Sequence, residues 1–264
     1  MVLKSILLGI VQGLTEFLPV SSSGHLVLFE EFMDFKQPGI LFEVLLHFAT
    51  LIAIIVVFAK RIGKIIASIF RRWSLQDEHF RMFLYLLLAS IPAALVGIFL
   101  KRYIEMLFTN VYLVGIMLLV TGGILFSTRF IAMKVDRTHS VFSSIVIGIA
   151  QAFAVIPGIS RSGTTIAAGL WSGLSKEGAT EFSFILAIPA MVGAMVLQLS
   201  ELGKAVHLGM IGIFLLGGLA AFVTGFIALI TLIRIVKKGK LHHFAYYCWI
   251  TGAAALVVKI FLLK

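Results

Sequence analysis

The chain has 264 residues, 60% of them hydrophobic and 13% charged, with a mean hydropathy of +1.09. Apolar runs of the ~20 residues needed to cross a bilayer recur along it, which excludes a soluble domain. The net charge of +10 fits Lys and Arg gathered in short loops on one side of a membrane rather than binding to nucleic acid, and the single cysteine, Cys248, excludes an internal disulfide or a thiolate metal cluster.

The N-terminal segment opens with Lys4 and an apolar run, like a signal peptide. Gln12 and Glu16 interrupt that run and no small-residue cleavage site follows, so a retained helix is expected. It should cover about Lys4 to Leu18, break at Pro19 to Gly24, and resume as a short helix from about His25 to Met33. Neither arm reaches spanning length, so the pair reads as a re-entrant hairpin. A span at about Ile40 to Phe58 carries Glu43 and His47 on one face, and a basic loop from Lys60 to Arg81 follows. Two more spans are expected at about Met82 to Leu100, kinked at Pro92, and Val111 to Phe126. The second half repeats the plan. An arm (Ser143 to Ile156), a break (Pro157 to Gly163) and an arm (Thr164 to Leu174) precede spans at about Phe182 to Leu199, Met210 to Ile233 and Phe244 to Leu262. Glu181 and Ser183 are expected to cap the helix after this hairpin, and Trp73, Trp171 and Trp249 to anchor at the membrane interface.

The duplication rests on two stretches. G-I-V-Q-G-L-T-E-F-L-P-V-S-S-S-G-H, from Gly9 to His25, is echoed by G-I-A-Q-A-F-A-V-I-P-G-I-S-R-S-G, from Gly148 to Gly163. Gly9 aligns with Gly148, Gln12 with Gln151 and Gly24 with Gly163, while Pro19 and Pro157 fall one place out of register. The expected fold is an all-α integral membrane protein of two inverted-topology repeats, each a re-entrant helical hairpin plus three transmembrane helices. It forms a single membrane domain over residues 1–264, with halves at about 1–139 and 140–264. An odd number of crossings per half is what inverts the second copy. Loops Lys60–Arg81, Arg129–Arg137, Lys176 and Arg234–Lys240 hold about twice as many Lys and Arg as the other side. That bias places both termini and the first hairpin outside.

The polar residues of the two hairpins carry the chemistry. Gln12 and Glu16, four apart, share one helical face. A carboxylate in a bilayer is read as functional by default. Glu16 could hold a divalent cation or act as a base, and Gln12 would add a neutral oxygen or an amide donor. The structural alternative is Gln12 bonding a neighbouring helix and Glu16 pairing with Arg161. Ser21, Ser22 and Ser23 offer hydroxyls beside free backbone N–H groups, Gly24 lets the backbone approach an anion, and His25 is near enough in sequence to move a proton. Taken alone, the serine run reads better as a helix N-cap. Arg161 shifts that balance. Its planar fork matches phosphate oxygens, and it lies among Ser160, Ser162, Gly163 and Thr164. Together these groups point to a phosphate on a lipid-borne ligand. Glu43 and His47 could line the same cavity or form an interfacial pair at its mouth, and the Lys237–Lys240 run with His242 and His243 reads as a topology signal.

Q-G-L-T-E-F-L-P-V-S-S-S-G-H and P-G-I-S-R-S-G-T-T resemble the two signature motifs of the undecaprenyl-pyrophosphate phosphatase, or bacitracin-resistance, family, and the resemblance runs over essentially the whole chain. It implies hydrolysis of undecaprenyl pyrophosphate to undecaprenyl phosphate and inorganic phosphate in the bacterial inner membrane. That reaction recycles the carrier lipid for cell-wall synthesis, and the active site is expected to open outward. By the same resemblance the acidic motif falls on Gln12 and Glu16, the serine nucleophile on Ser22, the histidine on His25 and the essential arginine on Arg161. Ser21, Ser23, Gly24, Ser160, Ser162, Gly163 and Thr164 would join Gln12 in binding substrate. A divalent cation, Mg or Ca, would sit at Glu16 and Gln12, where Gln12 departs from the two-glutamate form. The implied partners are a polyprenyl pyrophosphate lipid and the bilayer, with a homodimer allowed and no nucleic acid. Two chemistries stand open: attack by Ser22 with His25 or Glu16 as base, and attack by metal-activated water with Ser22 only a ligand. The alternative function is a non-hydrolytic transporter or flippase of a phosphorylated lipid.

Overall fold

A computed structural model describes residues 2–32, 40–70, 73–131, 138–199 and 211–261. The first hairpin is α1 (Val2–Phe17) and α2 (Ser22–Phe32). There follow α3 (Ile40–Val57), α4 (Ala59–Phe70), α5 (Glu78–Phe99), α6 (Lys101–Leu107) and α7 (Val111–Ser127). The second hairpin is α8 (Val141–Phe153) and α9 (Arg161–Trp171), and α10 (Lys176–Leu199), α11 (Ile211–Lys237) and α12 (Phe244–Phe261) complete the chain. Among the described residues α5, α7, α10, α11 and α12 are long and apolar enough to cross a bilayer, and α3 joins α4 through an 82° bend. The chain is an all-α, multi-pass membrane protein. The arm α1, the longest of the four hairpin arms, measures only about 24 Å at the helical rise, short of a bilayer core.

Several expectations needed correction. The basic stretch after Phe58 is not all loop. Ile62, Ile65, Ile66 and Ile69 recur at helical spacing between Lys60, Arg61 and Lys64, so α4 forms as an amphipathic helix. Both hairpin breaks are shorter than expected, because α2 resumes at Ser22 rather than His25 and α9 at Arg161 rather than Thr164. Glu181 and Ser183 lie inside α10, which begins at Lys176, and cap nothing. Trp249, expected at the membrane interface, is held by packing within the bundle. It lies against Gly122, with its Nε1 donating to the Leu119 carbonyl at 3.1 Å. Of the basic positions counted for topology, Lys36, Arg71, Arg72, Lys134, Arg137, Lys204 and Lys264 lie outside the described residues.

The helices pair in a swapped pattern: α1 packs on α11 and α8 on α5, α3 packs on α11 and α10 on α5, while α7 pairs with α12 and α3 with α10. Small residues make the close pairs possible. A Cβ on Gly9 would fall 2.1 Å from the Gly217 carbonyl oxygen, and one on Gly148 would fall 2.7 Å from the Ala89 oxygen. Backbone cannot swing aside as a side chain can, so α1 and α11 would have to separate to admit a methyl group. Gly9→Ala is therefore expected to destabilise the protein by about 1–3 kcal/mol, outweighing its helix-propensity gain. Unfolding in detergent measures this. A Gly9→Ala variant as stable as wild type would mean that the seam has slack.

Charged residues gather at one end of the bundle. Arg61 forks to Glu78 and Glu181, each at 2.7 Å, and Lys176 Nζ donates to the Lys237 carbonyl. His139 stacks on Phe182 at this same end, 4.9 Å between ring centroids. Burial first, and then the nearby Arg61 charge, push the His139 imidazole down to about 4. An unfolded histidine titrates near 6.5, so protonation favours the unfolded chain. Stability is then full above about pH 6.5 and declines as pH falls towards 4, by at most about 1.4 kcal/mol per pH unit. His139→Leu should flatten that acid limb in unfolding measured from pH 7.5 to pH 5. An unchanged limb would assign the decline to other groups.

Candidate active site

The two hairpin breaks meet tip to tip. A Cβ on Gly24 would fall 3.1 Å from the Gly158 Cα, and one on Gly163 would fall 3.0 Å from the Pro19 Cβ, so each tip closes on the other's break. The local caps are the same in both. Ser21 Oγ accepts from the Gly24 N–H at 3.1 Å and lies 3.2 Å from Ser23 Oγ; Ser160 Oγ accepts from the Gly163 N–H at 3.2 Å and lies 3.3 Å from Ser162 Oγ. The first two N–H groups of α2 and α9 thus remain without intrahelical acceptors at the place where the hairpins meet, the arrangement that favours an anion. The backbone pays strain here once: Ser21 has φ +67°, a region that side-chain-bearing residues seldom occupy. In the second hairpin the left-handed residue is Gly158, at φ +93°.

Spanning helices brace the tips. Thr121 of α7 donates to the Gly158 carbonyl at 2.9 Å and accepts from the Ser160 N–H at 3.1 Å. On the other hairpin, Cys248 of α12 lies against the Pro19 carbonyl at 3.5 Å. Neither Thr121 nor Tyr247, whose hydroxyl lies 2.8 Å from His25 Nε2, is singled out by the sequence. A threonine inside an apolar span was the available signal for the first, and nothing local marks the second.

Glu16 is the hub. Its Oε2 accepts from Ser22 Oγ at 2.7 Å and from Gln12 Nε2 at 3.1 Å, and its Oε1 accepts from Arg161 Nη2 at 2.6 Å. The carboxylate side chain is only 6% exposed and the guanidinium 19%. Half of the Arg161 fork is engaged by Glu16, while its Nη1 is buried without a partner. A charge-paired arginine with a free donor is poised to receive a second anion without leaving Glu16 uncompensated.

These groups border a cavity of about 680 Å³ that continues along α5 and α10 past Ala93, Gly97, Ile98, Val196 and Leu197. Glu16, Ser21, Ser22, Ser23, Ser160 and Arg161 line it, as do His47 and Gln151. Its polar end suits a phosphoryl group and its apolar remainder suits a hydrocarbon. The other expected residues are placed differently. Gln12 is fully buried behind Glu16, and Gly24 and Gly163 serve the approach of the tips. Ser162 and Thr164 are buried in the first turn of α9, and neither is among the described residues lining the cavity. Nor is His25. Its Nδ1 faces the Ser21 carbonyl at 2.9 Å and its Nε2 the Tyr247 hydroxyl at 2.8 Å, so the ring holds the strained Ser21 and does not reach towards Ser22. Of the His47 and Glu43 pair, His47 lines the cavity, with Nδ1 bonded to the Glu43 carbonyl at 3.0 Å.

Glu16 and Gln12, the residues expected to hold a divalent cation, are hydrogen-bonded to each other at 3.1 Å. Both Glu16 oxygens are engaged, Glu16 is the one carboxylate among the described lining residues, and the unpartnered Gln12 Oε1 is fully buried behind it. No group of three or more His, Cys, Asp or Glu suited to a metal occurs among the described residues.

Fold and site together define a multi-pass membrane protein with a serine–carboxylate pair and an arginine at the polar end of a largely apolar cavity. Comparison with known proteins places it more closely: the chain belongs to the bacitracin resistance protein BacA family, whose profile matches residues 5–254. Relatives named undecaprenyl-diphosphatase include one from Desulforapulum autotrophicum, 41% identical over 96% of this chain and 97% of the relative. Another, from Methanobrevibacter smithii, is 43% identical over 95% of each chain. A third, from Desulfosudis oleivorans, is 43% identical over 96% of this chain and 97% of its own.

Proposed function

We propose that this chain is a membrane hydrolase that converts undecaprenyl diphosphate to undecaprenyl phosphate and inorganic phosphate, which recycles the carrier lipid and underlies bacitracin resistance. The observation that carries the reading is the Ser22 hydroxyl donating to Glu16 at 2.7 Å, beside Arg161 and between two helix N-termini. In this reading Arg161 and the free N–H groups of α2 and α9 hold the terminal phosphate, with the Ser23 and Ser160 hydroxyls beside it. Ser22 Oγ attacks the terminal phosphorus and gives its proton to Glu16 Oε2. The bridging P–O bond breaks and the polyprenyl phosphate departs with the electron pair. Glu16, once its proton has gone to solvent, deprotonates the water that frees phosphate from Ser22. His25 supports this chemistry by positioning Ser21.

A divalent cation in this scheme enters as the counter-ion of the diphosphate, as part of the substrate. Calorimetric titration of the substrate-free protein with Mg is expected to show no saturable binding; saturable binding abolished in Glu16→Gln would instead establish a resident site.

The swapped helix pairing, the matching serine caps and the reciprocal contact of the tips support two inverted repeats meeting at one site, within a single membrane domain. The basic cluster at Arg61, Lys176 and Lys237 supports a cytoplasmic assignment for that end. The cavity, which runs along α5 and α10 away from it, then opens to the outer face of the cytoplasmic membrane. The experiment is phosphate release from undecaprenyl diphosphate by purified protein in detergent with Mg present. Turnover supports hydrolysis, whereas binding of the lipid with no phosphate released would favour a carrier.

A further inference from the structure

Among the described polar side chains that line the cavity, one is neither used by the chemistry above nor hydrogen-bonded to the protein. Gln151 of α8 is 2% exposed, lines the cavity, and has no hydrogen-bond partner for either Nε2 or Oε1. A buried amide that no protein group pairs at either end is costly to leave unmet, and it offers a donor and an acceptor to whatever occupies the cavity.

The repeat explains how the amide came to be free. Its counterpart Gln12 donates from Nε2 to Glu16, one helical turn on. One turn beyond Gln151 stands Val155, which also borders the cavity and cannot accept a hydrogen bond. The second hairpin therefore keeps the amide and lacks the carboxylate that would occupy it. Gln151 faces the same space as the Arg161 guanidinium, whose Nη1 is likewise unpartnered. A carboxamide adds two N–H donors to such a site without adding charge, and phosphoryl oxygens are the acceptors that the arginine and the helix N-termini select.

We infer that Gln151 is a substrate-binding residue whose Nε2 donates to a non-bridging oxygen of the bound diphosphate, a second anchor beside Arg161. This rests on the hydrolase reading for its substrate and extends it to a residue outside the Ser22–Glu16–Arg161 group. With one anchor, a diphosphate on a flexible chain can pivot. Two anchors fix the terminal phosphorus against Ser22.

The test compares Gln151→Leu and Gln151→Glu with wild type in phosphate release and in calorimetric binding of a polyprenyl methylenediphosphonate, which cannot be cleaved at the bridge. Thermal unfolding of the substrate-free proteins is measured alongside. Gln151→Leu is expected to raise KM and the Kd of the analogue by about 10- to 100-fold, with a smaller change in kcat, since one hydrogen bond to a charged group is lost. It should also leave the melting temperature equal to wild type or higher, because an unpaired buried amide is removed; a purely structural glutamine would lower it. Gln151→Glu should bind the analogue still more weakly at pH 8 and recover as pH falls and the carboxyl is protonated. Analogue binding by Gln151→Leu within twofold of wild type, or a lowered melting temperature with unchanged KM, would overturn the inference. Wild-type protein that binds the analogue but releases no phosphate would instead overturn the hydrolase reading, while the binding comparison would still decide the role of Gln151.

Discussion

Ser22→Ala is expected to lower phosphate release by at least about 1,000-fold while leaving the fold intact. The hydroxyl is half-buried, lies at the first position of α2 and donates to Glu16 at 2.7 Å. Removing it deletes the proposed attacking atom but leaves the Glu16–Arg161 pair and the Ser21 cap in place, so unfolding in detergent should change little. Glu16→Gln should lose activity to a similar degree, because no other described carboxylate lines the cavity to take the proton. Nucleophile and base act as one unit, and the double variant should be scarcely worse than either single change. A phosphoryl group trapped on Ser22 after rapid quenching would show the covalent step directly. Ser22→Ala protein with near-normal turnover would transfer the attack to water.

Arg161→Ala carries the second large effect, and it acts on two quantities at once. The change leaves the Glu16 carboxylate buried with no cation beside it, an imbalance that costs about 3–5 kcal/mol when one partner of a buried pair is deleted. It also removes the charge-assisted donors proposed to meet the phosphate, for an expected loss of about 100- to 1,000-fold in kcat/KM. The combined Glu16→Gln, Arg161→Ala variant should regain stability relative to Arg161→Ala, yet stay inactive, which separates the two contributions. Arg161→Lys should keep the ion pair but recover only part of the activity, because a point charge cannot serve Glu16 and phosphate through a planar fork. Full activity in the lysine variant would mean that charge alone is required.

Much of this is legible in the sequence alone. The spans were legible because hydropathy over some twenty residues is a local property. The two hairpins were legible because Pro19 and Pro157 interrupt arms too short to cross, and their shared Ser-x-Ser-Gly endings do fold into the same cap. The helix α4 was hidden for a different reason. Lys60, Arg61 and Lys64 read as topology signals, although the isoleucines between them carry a helical period. Gln151 aligns with Gln12, but a repeat alignment by itself does not say which copy keeps its partner.

By itself, the sequence determined the membrane class, the long apolar spans and most of the residues from which a site had to be made. All of these follow from transfer free energies and local backbone preferences summed over neighbouring positions. Only the tertiary structure decided who meets whom. It turned His25 to Ser21 and Tyr247, gave the Ser22 proton to Glu16, brought Arg161 across from the other half of the chain, and left Gln151 without a partner. The physical reason is that a hydrogen bond depends on direction over about 3 Å. Helix rotation and the close crossings at the glycine seams set that direction, and both depend on contacts between segments far apart in the chain.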